Sequence, residues 1–246
     1  MPDSTAWRRP TPWTLAAEGP RAVGELTSFA RALPRLRRAP DGDGHPVLVL
    51  PGFLASDEST RPLRWFLREH GYAAHGWHLG RNLGPSDDVI DGLRDRVGAL
   101  LDQHDRPMSI IGWSLGGIYA REIAREIPEA VRQVITLASP FRLGPRSASA
   151  ARPIYQAVSA NHSDRVRDAG RRQLRLEPLE VPTTAIYTTS DAIVPWRACI
   201  EDPGPRRQNI EVTGSHSGLG HNPTVLRIIA DRLAQPEGTW RPYEPT

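Results

Sequence analysis

Gly112-Trp113-Ser114-Leu115-Gly116 stands between two stretches of opposite periodicity. Before it, Met108 to Ile111 is a short apolar run of buried-strand character. After it, Ile118, Tyr119, Ile123, Ala124 and Ile127 recur at helical spacing until Pro128 stops the pattern. A strand that turns abruptly into a helix sets the serine between them on a sharp bend with its hydroxyl projecting. Gly112, Gly116 and Gly117 let the chain make that bend. The five-residue pattern is short, and its strand-turn-helix setting is what makes Ser114 a candidate nucleophile.

A serine hydroxyl is a weak nucleophile at neutral pH, so it requires a base within hydrogen-bond reach and a third group that orients the base. In a parallel sheet these groups must come from loops at the carboxyl ends of strands. Asp191 meets that condition, three residues beyond a strand expected over Thr183 to Thr188; its other reading is an Asx turn ahead of Pro195. Asp164, Asp168 and Asp202 are weaker competitors. The loop after the last strand, Gly214 to Pro223, holds His216 and His221. His216 is preferred, because His221 precedes a helix N-terminus, whose positive dipole end disfavours the imidazolium a base must become. Two amides are needed to hold the negative oxygen of a tetrahedral intermediate. Leu115 supplies one, and Phe53, in the Leu50-Pro51-Gly52-Phe53-Leu54 turn, supplies the other. Leu54, Trp113 and Leu219 are candidates for an apolar pocket wall, or equally for packing around the bend.

From Pro46 onward strand and helix signals alternate, which predicts a parallel sheet covered on both faces. Strands are expected at Val47 to Leu50, Tyr72 to Trp77, Gln133 to Ala138 and Asn209 to Thr213. Helices are expected from Thr60 as N-cap to His70, from Ser86, and from Asn222-Pro223. Residues 1–45 carry no strand; Thr14 to Arg38 reads as a helix with Leu26, Phe29, Ala30 and Leu33 on its buried stripe. Residues 140–181 carry no strand signal and are expected to form a small helical lid, with Ile154, Tyr155 and Val158 on one face and arginines on another. The body spans 46–235 and a tail 236–246.

The 246 residues include 31 basic and 28 acidic side chains, every basic one arginine, for a net charge of +3. That balance argues against a nucleic-acid partner. The single cysteine, Cys199, excludes an internal disulfide and reads as a small buried hydrophobe. His75 and His78 have ligand-like spacing but no companions, so neither a metal nor another cofactor is expected. The N-terminal segment lacks an apolar core of the kind a secretory signal needs, and a cytoplasmic location is the expectation.

The elbow around Ser114, the order Ser114, Asp191, His216 and the Pro51-Gly52-Phe53 turn together resemble the α/β-hydrolases of the bacterial lipase and esterase type. The resemblance covers about residues 46 to 235. It implies about six mainly parallel strands and a serine esterase acting on small-molecule or lipid esters. An acyltransferase or thioesterase on the same triad, and a noncatalytic binder on the same scaffold, are the alternatives. Proline stands where many members have histidine before Gly52, and the N-terminal helix lies outside the common core. That helix gives a peripheral membrane contact as a further expectation.

Overall fold

Short aliphatic runs become six strands: β1 (Pro46–Leu50), β2 (Ala73–Gly76), β3 (Met108–Trp113), β4 (Val131–Leu137), β5 (Thr183–Tyr187) and β6 (Arg207–Glu211). In the computed structural model, which describes residues 11–142 and 177–245, they lie in the order β2-β1-β3-β4-β5-β6. Every pairing is parallel. Each described strand falls where the residue pattern placed it, within a few residues at its ends. The lid expected over 140–181 lies almost wholly outside the described residues.

The described helices are α1 (Pro12–Leu36), α2 (Arg61–Glu69), α3 (Asp87–His104), α4 (Leu115–Glu126) and α5 (Pro223–Leu233). Alternation along β1 distributes the core: Val47 and Val49 face α1, α2 and α5, whereas Leu48 and Leu50 face α3 and α4. Strands β1, β3 and β4 are buried along their whole length, as a sheet covered on both faces requires. Ser86 caps α3 by accepting the Val89 amide, and Asp87 and Asp88 stand in its first turn, where the helix dipole favours them. Asn222 caps α5 through the amides of Thr224 and Val225. Thr60 occupies the N-cap position of α2 but does not cap it; its hydroxyl donates to the Asp57 carbonyl instead.

Helix α1 differs from expectation in its rotation. Phe29 and Leu36 are buried and Leu33 packs against the core, but Leu26 is exposed. The inward stripe includes the polar Glu18 and the half-buried Glu25, because this end of α1 rests on loops and not on the apolar sheet. None of the described helices is long and apolar enough to cross a membrane.

The strand order fixes where chemistry can occur. The chain passes from β1 to β2 on one side and then crosses to β3 on the other, so the loops after β1 and β3 leave in opposite directions and open a crevice between them.

Candidate active site

Ser114 terminates β3 and opens α4 with φ 52° and ψ −117°, a backbone conformation that costs a non-glycine residue of order 1–3 kcal/mol. Its amide donates to the Leu137 carbonyl of the neighbouring strand at 2.8 Å, which holds the bend in place. The strained torsion lies on the serine and not on the flanking glycines, whose role is close approach. A Cβ on Gly116 would stand 2.4 Å from the Leu50 carbonyl oxygen, and one on Gly112 would stand 2.3 Å from the Gly117 Cα. Both contacts are impossible for any side chain, so α4 can start this close to β1 and β3 only with glycine there.

The loop after β1 lies against the serine: a Cβ added to Gly52 would meet the Ser114 Cβ at 3.3 Å. Phe53 and Leu54 follow, and Leu54 also has positive φ, at 61°. Proline in place of histidine before Gly52 leaves this loop in need of another brace, and the structure assigns that part to Asn82. Fully buried, Asn82 donates its side-chain amide to the Pro51 carbonyl (2.9 Å), and its backbone carbonyl accepts the Leu54 amide (2.7 Å). Its own amide donates to Ala55, and its side-chain oxygen accepts from Tyr119 Oη on α4 and from the Gly84 amide. One asparagine thus ties the β1 loop to the elbow helix.

Asp191 and His216 lie beyond β5 and β6 at the same edge of the sheet. Nδ1 of His216 is 2.7 Å from Oδ2 of Asp191, and both side chains are buried. The other carboxylate oxygen, Oδ1, accepts the amides of Ile193 and Val194 at 2.8 Å each. Asp191 thus makes the Asx turn and meets the imidazole at once, the turn fixing the carboxylate in the orientation that faces His216. Burial pulls the His216 pKa down. The Asp191 charge, the hydrogen bond to it and the field of Glu18 outweigh burial and raise it above its ordinary value. His221 plays a different part, its Nε2 lying 2.9 Å from the Ala22 carbonyl of α1. Asp202 pairs with Arg142 near the surface, and Asp164 and Asp168 lie outside the described residues.

The pocket candidates separate. Leu54 is 41% exposed, whereas Leu219 has no exposed surface and packs into the core. Trp113 is likewise nearly buried; its indole N–H donates to the His216 carbonyl at 3.0 Å and its ring fills the space over Gly220. It braces the His216 loop against the turn at Ser114. Leu115 is buried directly after the serine, and Phe53 is half-buried. His75 and His78 diverge: His75 faces His104 Nε2 at 2.9 Å, while the His78 amide is held by Asp57. Cys199 is buried, and burial with the nearby Asp191 charge pushes its thiol pKa up, away from reactivity.

An Asp-His-Ser row, unseen in the sequence, lies at the opposite edge of the sheet. His45 contacts Asp43 through Nδ1 and Ser109 Oγ through Nε2 at 2.9 Å. His45 and Ser109 have no exposed surface, and Arg132 and Arg106 pair with Asp43. Burial, aided by the two arginines, outweighs Asp43 and lowers the His45 pKa to about 4, so the ring is neutral at physiological pH. The histidine and serine of this row are sealed from solvent while Asp43 stands exposed at its outer end, and the row links the amino ends of β1 and β3.

Comparison with known proteins agrees with the architecture. No family model matches the chain. Over 98 residues, 40% of this chain and 37% of the relative, it is 36% identical to the pimeloyl-[acyl-carrier protein] methyl ester esterase of Shewanella woodyi. The match therefore spans well under half of that enzyme. Among solved structures, it is similar to a monoacylglycerol lipase of Paleococcus ferrophilus, with a TM-score of 0.56, 12% identity and coverage of 78% of this chain and 96% of that one. It is also similar to mouse alpha/beta hydrolase domain-containing protein 10, with a TM-score of 0.54, 18% identity and coverage of 78% and 90%. A structure from the metagenome-derived lipolytic enzymes LipS and LipT gives a TM-score of 0.56 at 15% identity, covering 79% and 93%. At such identities these likenesses speak for the fold alone, and the fold they share with this chain is the α/β-hydrolase fold.

Proposed function

We propose that the protein hydrolyses carboxylic esters through an acyl-enzyme on Ser114. The observation that carries this reading is the buried Asp191–His216 pair, held on loops at the same sheet edge as a serine in a strained turn. In the first half-reaction Ser114 Oγ attacks the ester carbonyl carbon while His216 Nε2 takes the hydroxyl proton, and Asp191 stabilises the imidazolium through Nδ1. The Leu115 and Phe53 amides hold the resulting oxyanion. Collapse breaks the bond to the alcohol, which leaves with the proton from His216. Water, deprotonated by the same imidazole, then attacks the acyl carbon and releases the acid, and the proton returns to Ser114 Oγ. No group besides these side chains and amides is called on.

The likeness to a methyl ester esterase supports ester cleavage and directs the first assays to short alkyl esters. Ser114→Ala in the folded protein is expected to abolish turnover of p-nitrophenyl acyl esters and labelling by a fluorophosphonate. Near-normal rates in that variant overturn the assignment. The outward face of α1, with Trp13 84% exposed and Val23 65% exposed, supports a lipid surface as the place where longer esters are met. Flotation with anionic vesicles at low and high salt tests it, and failure to float at either removes it.

A further inference from the structure

Helix α1 lies outside the alternating strand-helix pattern, yet its inner face touches the main chain on both sides of the acid and on both sides of the base. Glu18, 5% exposed, accepts the Ala192 amide on Oε1 at 3.1 Å and the Ser217 amide on Oε2 at 3.3 Å. Ala192 directly follows Asp191, and Ser217 directly follows His216. Arg21 donates to the carbonyl and hydroxyl of Ser190, the residue before Asp191, and to the Gly214 carbonyl at 2.6 Å. Glu25 accepts the amide (2.6 Å) and hydroxyl (3.1 Å) of Ser215, the residue before His216. Positions 18, 21 and 25 share one helical face, so one helix brackets two loops that lie more than twenty residues apart in sequence.

We propose that α1 is the positioning element of this site, and that Glu18 is the positioning residue that sets the spacing and the charge environment of the Asp191–His216 pair. The inference rests on the esterase reading above and deepens it. A helix serving only as a tether would hold on through apolar contacts, and α1 has those separately, at Phe29 and Leu36. Its acidic end makes charge-assisted bonds to backbone groups, which fix loop geometry more tightly than apolar packing does. The charged groups facing His216 are Asp191 on the acid loop and Glu18 on α1; Arg21 lies 3.6 Å from Glu18 and partly offsets it, while Glu25 and His221 flank the same turn. The Glu18 field favours the imidazolium that forms in both half-reactions.

Two full-length variants separate the two parts of the proposal. Glu18→Gln keeps the shape and one amide acceptor but removes the charge. It is expected to move the acidic limb of the kcat/KM profile on p-nitrophenyl acetate, and the imidazole titration of His216 followed by NMR, to lower pH. Glu18→Asp keeps the charge but is one methylene too short to span both amides, so it is expected to leave the limb in place while kcat falls roughly tenfold and KM stays within about twofold. Thermal unfolding of both variants fixes the folded fraction at the assay temperature. An unmoved limb and unmoved imidazole titration in Glu18→Gln, or a kcat loss in Glu18→Asp that merely tracks unfolding, overturns the proposal. A moved imidazole titration in a protein that turns over no ester leaves the positioning role standing and removes the esterase reading instead.

Discussion

Replacing Asn82 with alanine tests whether the β1 loop is held for catalysis. The variant loses three side-chain hydrogen bonds, to the Pro51 carbonyl at 2.9 Å, the Gly84 amide at 3.2 Å and the Tyr119 hydroxyl at 3.3 Å. Each is worth about 1 kcal/mol net, and the orphaned Pro51 carbonyl adds a desolvation cost, so the expected destabilisation is about 2–4 kcal/mol. The backbone bonds of residue 82 to Leu54 and Ala55 survive, so the loop is loosened and not released. Complete loss of one oxyanion donor costs roughly 10²–10³ in kcat; a loosened Phe53 amide is expected to cost about ten- to a hundredfold. Urea unfolding gives the first quantity, and steady-state hydrolysis of p-nitrophenyl acetate well below the unfolding transition gives the second. Because the affected amide acts on the transition state more than on bound ester, the loss belongs in kcat with KM little changed. A folded variant with kcat within twofold of the parent refutes the assignment of Asn82 as the brace and weakens that of Phe53 as a donor.

The torsion of Ser114 predicts a stability order: Ser114→Gly, free to adopt φ 52°, is expected to be more stable than Ser114→Ala by about 1 kcal/mol, as read from chemical denaturation. Equal stabilities, or the reverse order, contradict the strain. His45 predicts acid sensitivity. Its folded pKa of about 4 lies below the unfolded value of 6.5, so the unfolded state takes up the proton first as pH falls, and stability is lost between pH 6.5 and 4. The shift corresponds to about 3 kcal/mol, measurable as the difference in unfolding free energy between the parent and His45→Gln across that window. His216 works in the opposite sense. Its raised pKa contributes stability below pH 6.5 that is lost as pH rises through the folded value, and it sets an ester-hydrolysis profile that climbs with pH through a pKa above 6.5.

What the sequence reveals of this site depends on how local the signal is. The bend at Ser114 is legible because its cause is local: an apolar strand, the glycines at 112 and 116 and an amphipathic helix. Asp191 and His216 are legible because a parallel sheet gathers its chemistry at strand ends, and the strands β5 and β6 could be found from their own residues. Asn82 was missed because it sits in a loop of Gly, Asn and Pro residues that reads as connection, and its partners lie about thirty residues before and after it in the chain. The acidic face of α1 was missed for the opposite reason. Glu18, Arg21 and Glu25 carry the helical spacing of a solvated face, and the buried stripe was assigned to Leu26 and Ala30 in their place. Pattern reading assumes that a helix buries its apolar side, and that assumption fails where the surface beneath is loop backbone with unpaired amides.

The Asp43-His45-Ser109 row and the proposed Asp191-His216-Ser114 site share residue types and differ in their settings. Both contain a carboxylate against Nδ1 of a histidine, and in the His45 row the serine hydroxyl is within bonding distance of Nε2. Their backbones differ. Ser109 lies within β3, paired by parallel neighbours on both sides, so its amide and those around it are spent in the ladder. Ser114, five residues later, has left the ladder, and the Leu115 amide that follows it opens a helix whose first N–H groups have no partner within the helix. The electrostatics diverge in the same direction. Arg132 and Arg106 neutralise Asp43 and burial keeps His45 uncharged, whereas Asp191 and Glu18 favour a charged His216. A row that cannot charge its histidine cannot take the serine proton, and a serine inside a ladder has no free amides to offer an oxyanion. The carboxyl edge of the sheet supplies both, because strands end there in loops and helices begin.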